Sequence, residues 1–362
     1  MIEEIMPDSR RPVVPPIEHG GPDLEELRRL GLDRTQILDF SVCTNPFGPS
    51  LLVAKALAQV RLDEYPDREA HGLRDALAEF HGVDTRHILA GNGVSELIWL
   101  TTMAFVRKGD RVLVIGPTYG EYARSALLQG GVVSTWTARE ETHFATVPTE
   151  IETAIDRCRP RLVFLCNPNN PTGTAIPPGV ISSWARVHPG TLFVVDEAYQ
   201  SFAPGLPSLI SDRAGNVLIL RSMTKDYALA GLRLGYAVGA EDVIRALRQV
   251  QPPWSVSAMA QAAGVAALGD EHHLARSLED LARANRDLVK SLTELGLVVW
   301  PSAAHFFLVR VGNGADFRKT LLKRGMLVRD AASFGLPAFA RLGTRRAEEN
   351  AQLLRVLREV TW

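Results

Sequence analysis

Cysteine is scarce in this chain and its charges nearly cancel, and each shortage removes a class of proteins from consideration. Only three cysteines occur, Cys43, Cys158 and Cys166. Odd in number and without the paired spacing of a metal site, they argue against a disulfide framework and for a reducing, cytoplasmic compartment. A formal net charge of −1 leaves no electrostatic case for nucleic acid or an anionic membrane. No apolar run is long enough to span a bilayer, so no membrane partner is expected. The stretch from Met1 to Pro16 is acidic, then basic, then proline-rich, and lacks the apolar core of a signal peptide. Internal repeats and low-complexity tracts are also missing.

What is present is a large apolar fraction, 46% of 362 residues, more than one ordinary core needs. Residues 1–18 read as an arm, since Pro12, Pro15 and Pro16 remove donors and fix backbone angles. From about residue 90, short apolar runs alternate with amphipathic stretches. The runs are Val112–Ile115, Val132–Trp136, Leu162–Cys166, Leu192–Val195, Val217–Leu220 and Leu234–Val238. Continuous apolar runs bounded by turn residues predict strands buried on both faces, hence an α/β fold with a mainly parallel sheet and helical crossovers. Helices are expected over Ala258–Leu268 and from Glu271 to Leu295. Strands Val298–Trp300, Phe306–Val309 and Met326–Val328 and a helix over Ala347–Val360 then predict a small α+β domain. The expected division is an arm with part of the small domain over 1–45, a large domain over 46–270 and the small domain over 271–362.

The most informative segment is Ser222-Met223-Thr224-Lys225, with Arg233 eight residues beyond the lysine. An amine flanked by two hydroxyls and followed by a guanidinium can hold a phosphorylated aldehyde. Lys225 can form a Schiff base while Ser222, Thr224 and Arg233 take the phosphate oxygens. Pyridoxal phosphate is the obvious aldehyde, and its other needs can be met at neighbouring strand ends. Gly93, Val94 and Ser95 open a helix whose amides suit a phosphate. Asp196, directly after four apolar residues, can keep a ring nitrogen protonated. Asn170 and Tyr199 can donate to the ring hydroxyl, and Tyr119 can supply an aromatic platform. A dinucleotide fingerprint is poorly matched, because Gly91-Asn92-Gly93 has no glycine at 96.

With these motifs in this order, from His19 to Asn350, the chain resembles the class I/II aminotransferases, the fold type I pyridoxal phosphate enzymes. It is most similar to the branch of histidinol-phosphate aminotransferases and threonine-phosphate decarboxylases. The Ser-x-Thr-Lys-x5-Gly-x-Arg-x-Gly and Asn-Asn-Pro-Thr-Gly segments carry most of the likeness. The resemblance implies a large domain with a mainly parallel, seven-stranded type of sheet between helices, plus a smaller α+β domain. It implies Lys225 as the Schiff-base residue, Asp196 at the pyridinium nitrogen and Tyr119 on the ring. Arg341 would grip the substrate α-carboxylate. Tyr65 would reach the cofactor phosphate of a neighbouring subunit, which implies a homodimer with shared active sites.

Cleavage at Cα–H leads to transamination and cleavage at Cα–carboxylate to decarboxylation, and one cofactor serves both. His19-Gly20-Gly21, Leu38-Asp39-Phe40-Ser41, Pro253–Ser257, Arg329 and Arg345 resemble the decarboxylases, where such arginines meet the substrate phosphate. Tyrosine at both 119 and 199, with Gly343-Thr344, resembles the aminotransferases. Cys43 stands where both groups usually have asparagine, so its substrate contact would change character. The expectation is an aminotransferase for a small phosphorylated amino acid with glutamate as amino donor. The alternatives are threonine-phosphate decarboxylation and, remotely, a cofactor-binding regulator.

Overall fold

The computed structural model describes Val14, Ile17 and residues 19–212 and 214–360. The expected arm over 1–18, with Pro12, Pro15 and Pro16, thus lies outside the described residues except at Val14 and Ile17. The strands are β1 (Leu38–Asp39), β2 (Ile88–Gly91), β3 (Arg111–Gly116), β4 (Val132–Thr137), β5 (Leu162–Cys166), β6 (Leu192–Asp196) and β7 (Val217–Ser222). They continue as β8 (Gly235–Val238), β9 (Val298–Val299), β10 (Phe306–Arg310), β11 (Met326–Leu327), β12 (Arg329–Asp330) and β13 (Phe339–Gly343).

Seven strands form one sheet in the order β2-β8-β7-β6-β5-β3-β4. β3 through β7 pair in parallel. Leu234–Val238, which the apolar pattern groups with the parallel strands, is instead the antiparallel strand β8, paired on either side with β2 and β7. The reason is its connection. Met223–Leu234 joins β7 to β8 without an α-helix, so the chain doubles back rather than crossing over. That short return carries Lys225.

Alternation along the strands feeds two cores. Leu113, Val163, Val195 and Ile219 pack on one face with helices His71–His81, Pro178–Val187 and Ala258–Leu268. Val114, Phe164, Val194 and Leu220 pack on the other with helices Gly93–Phe105, Glu121–Leu128 and Glu241–Val250. Each such buried side chain stabilises the fold by roughly 1.5–3 kcal/mol. A third core lies under a four-stranded sheet, β12-β13-β10-β9, covered by helices Glu271–Glu294, Gly314–Leu322 and Ala347–Glu359. The expected run Met326–Val328 divides: β11 pairs with β1, and β12 begins beyond it on β13. Residues 38–39 are thereby tied to the C-terminal part of the chain.

Candidate active site

β5, β6 and β7 are neighbours, so their carboxyl ends bring three polar segments to one edge of the sheet. Ser222 ends β7, Asp196 ends β6, and Asn167–Gly173 follows β5. Across from them, helix Gly93–Phe105 starts from β2. Its N-cap Asn92 makes no side-chain hydrogen bond to the first turn, leaving amide donors aimed at the same place. A cavity of about 260 Å³ opens there. It is lined by fourteen of the residues singled out from the sequence: His19, Cys43, Val94, Ser95, Tyr119, Asn170, Asp196, Tyr199, Ser222, Thr224, Lys225, Arg233, Arg329 and Arg341.

Lys225 lies with Nζ 5.9 Å from the centre of the Tyr199 ring. Its amine is pushed below the usual lysine range by burial, with Arg341 and Arg233 adding to the effect. The Asp196 carboxyl is pushed up by burial, while bonds from the Tyr122 hydroxyl at 2.6 Å and the Ala198 amide at 2.9 Å pull the other way. Among the described residues no basic side chain forms an ion pair with Asp196. A buried carboxylate in that state calls for a cationic partner from outside the chain.

Beside the start of helix Gly93–Phe105, Ser222 and Thr224 share a hydrogen bond of 2.7 Å. Ser95 and Tyr119 face each other at 3.4 Å. Gly93 has φ +77° and sits where an added Cβ would lie 2.9 Å from Arg233 Nη2. Glycine adopts that left-handed backbone angle without strain, and a larger residue would also have to displace the guanidinium. At the far side, Arg341 is buried, donates to Asn170 Oδ1 and to the Ser41 carbonyl, and lies over the Phe306 ring at 5.5 Å. Arg329 is buried in the cavity wall, bonded to the His19 carbonyl and to Ser333 Oγ. Cys43 is buried, and burial keeps its thiol protonated.

Three expected residues do not line the cavity: Gly93, which instead packs against the Arg233 guanidinium, Arg345 and Tyr65. Arg345, expected at the substrate, points away: it donates to the Asp39 carbonyl at 2.9 Å and pairs with Glu349 at 2.7 Å. Its place just before helix Ala347–Glu359 puts an acidic first turn within reach, and that turn captures it. Tyr65 is 82% exposed and packs on Trp254 with ring centres 4.9 Å apart. Tyr122 was not foreseen. It is five residues along from Pro117, inside helix Glu121–Leu128, and nothing local distinguishes it from a core aromatic.

The family model "Aminotransferase class I and II" matches residues 35–357. The chain belongs to the class I and II aminotransferase family. A histidinol-phosphate aminotransferase of Moorella thermoacetica is 36% identical over 97% of this chain and 91% of its own length. Among solved structures, the histidinol-phosphate aminotransferase of Sinorhizobium meliloti in complex with pyridoxal-5'-phosphate superposes with a TM-score of 0.82 at 27% identity, covering 92% of this chain and 94% of that one. The L-threonine-O-3-phosphate decarboxylase of Porphyromonas gingivalis reaches 0.78 at 28% identity, covering 88% and 98%. The cofactor of this aminotransferase is pyridoxal 5'-phosphate. The chain has what that molecule needs: an unpaired buried carboxylate, a helix start without a side-chain cap, and a buried lysine between them. When bound, the cofactor supplies an electron sink for the substrate's Cα. No described helix is long and apolar enough to cross a membrane.

Proposed function

We propose that this aminotransferase acts on a small phosphorylated amino compound of the histidinol-phosphate type, with glutamate and 2-oxoglutarate as the co-substrate pair. One observation carries the reading. Among the described residues lining the cavity, Lys225, Arg233 and Arg341 oppose a single carboxylate, Asp196. Such an excess of positive charge in an enclosed site fits several anionic groups at once. Arg233, with the start of helix Gly93–Phe105, takes the cofactor phosphate. Arg341 takes an α-carboxylate. Arg329, in the wall of the same cavity, takes the distal anion, either the phosphate of one substrate or the side-chain carboxylate of glutamate.

Within this arrangement Lys225 performs the proton transfer. Its lowered proton affinity suits an amine that must both accept and return a proton near neutral pH. Tyr199 and Asn170 orient the ring, and Tyr119 covers one face of it.

Two copies are proposed to share their sites. Tyr65, Trp254, Leu51 and Leu62 are exposed apolar or aromatic side chains, and pairing would bury them while directing Tyr65 toward the other copy. The division at 1–45, 46–270 and 271–362 belongs to the same proposal, as does a cytoplasmic location.

Threonine-phosphate decarboxylation is the second reading. It is supported by the likeness to the Porphyromonas gingivalis decarboxylase and by His19 at the mouth of the cavity. One experiment separates the two. The holoenzyme is given histidinol phosphate with 2-oxoglutarate, and separately threonine phosphate. Glutamate formation in the first without CO2 in the second supports transamination; CO2 without glutamate would replace it by decarboxylation.

A further inference from the structure

Asp196 and Lys225 face the cavity, but the residue after each faces away from it, and those two neighbours are joined. Arg221 is buried beneath the site. Its Nη1 donates to Glu197 Oε2 at 3.2 Å and to Gln200 Oε1 at 2.6 Å, and its Nη2 donates to Ser201 Oγ at 3.1 Å. Ser201 passes the connection on, donating to Asp226 Oδ2 at 2.7 Å. Glu197 is held further by Ser208 Oγ at 2.6 Å and the Leu209 amide at 2.8 Å. The Asp226 carbonyl accepts from Asn45 Nδ2 at 2.9 Å. None of Arg221, Glu197, Ser201 or Asp226 lines the cavity.

A buried ion pair of this kind is a poor way to gain stability, because desolvation cancels most of the attraction and apolar side chains of equal volume do as well. What it does supply is geometry. The planar guanidinium fixes directions that an apolar contact leaves loose.

We infer that Arg221 is a positioning residue: by holding Glu197 directly and Asp226 through Ser201, it sets the spacing between the Asp196 carboxylate and the Lys225 amine. The inference rests on the cofactor roles proposed above for those two residues. Burial works against the charge on Arg221, but Tyr236, Glu197 and Asp226 outweigh it and hold it protonated. Asp226 is pushed up by burial against the pull of Arg221. Beyond them, Tyr236 is raised to about 12 and His81, bonded to it at 2.7 Å, is lowered to about 4. Neither of that outer pair changes charge near neutrality.

The test compares the wild-type holoenzyme with Ser201→Ala, Arg221→Lys and Arg221→Met. The readouts are the pH titration of the visible absorbance of the lysine-bound cofactor, the affinity of the cofactor-free protein for pyridoxal phosphate, and the thermal midpoint. Ser201→Ala should move the titration midpoint by about half a pH unit or more and weaken cofactor affinity by about fivefold, with a thermal midpoint within about 2 °C of wild type. Arg221→Lys should restore part of what Arg221→Met loses, since the charge survives without the fork. If Arg221→Met does not fold, Ser201→Ala decides the question alone. Variants with the wild-type titration and affinity, differing only in thermal midpoint, would reduce Arg221 to packing and overturn the inference. Wild-type protein that takes up no pyridoxal phosphate would overturn both the inference and the reading beneath it.

Discussion

Removing one oxygen atom from Tyr122 probes the electrostatics of the site without disturbing its shape. The Tyr122 ring is fully buried and stacks on Phe164 at 5.3 Å with planes 6° apart, so phenylalanine keeps the packing. Only the hydroxyl that donates to Asp196 Oδ2 at 2.6 Å is lost. A hydrogen bond to a charged acceptor contributes about 1.5–3 kcal/mol, and its loss leaves Asp196 with the Ala198 amide as its remaining donor. Burial already raises the Asp196 carboxyl, and the Tyr122 bond is the largest effect opposing it. The variant's carboxyl therefore rises further. A carboxyl that binds its proton more tightly folded than unfolded destabilises the fold when charged, and that penalty fades as pH drops through its folded pKa. In cofactor-free protein, Tyr122→Phe should thus lose about 2 kcal/mol in urea unfolding at about pH 8, and less as pH is lowered toward the ordinary carboxyl value of 3.8. Adding pyridoxal phosphate at the higher pH should also shrink the loss, because in the proposed arrangement the ring nitrogen would bring a proton to the same carboxylate. A loss under about 0.5 kcal/mol, or one that stays equal as pH is lowered, would refute the reasoning.

Three further outcomes are expected. Arg341→Lys cannot span Asn170 and the Ser41 carbonyl while meeting a carboxylate with two parallel bonds, so kcat/KM for glutamate should fall about 100-fold, roughly 2.7 kcal/mol, in steady-state assays. Gly93→Ala forces a Cβ to 2.9 Å from Arg233 at a φ of +77°, and equilibrium dialysis should show cofactor affinity reduced by about tenfold or more. His305 is buried and lowered to about 3 by burial, Lys225 and Arg341. The unfolded chain takes up that proton below its ordinary value of 6.5 while the folded chain does not. Stability therefore falls by about 1.4 kcal/mol per pH unit as pH drops from there toward about 3. His305→Leu should remove that slope from the acid limb of a denaturation series.

The central parallel strands were legible because each is apolar on both faces and ends at a turn. The same pattern failed at the edges. β2 is only four residues long and offers no rhythm. β13 was missed because Arg341 interrupts an otherwise apolar stretch, and a buried arginine in a strand looks like loop in one dimension. The direction of β8 depended on the connection before it, not on its own residues. At the site, polar residues directly after strands could be read locally, since the strand end itself places them. Tyr122, Arg221 and His305 could not. Tyr122 and Arg221 act from within elements, reaching partners far away in sequence. His305 is buried in the bend before β10, with no hydrogen-bond partner for its ring among the described residues. The pattern around each is that of ordinary core. Arg345 shows the reverse case: a suggestive spacing from Arg341 that a nearby glutamate claims first.

The central claim is that Lys225 binds the cofactor covalently, and one measurement addresses it directly. Purified protein is reduced with borohydride, digested and mapped by mass spectrometry. The account predicts a pyridoxyl phosphate adduct on Lys225, with absorbance near about 420 nm before reduction and neither signal in Lys225→Ala. An adduct on another lysine, or one that survives Lys225→Ala, would contradict it.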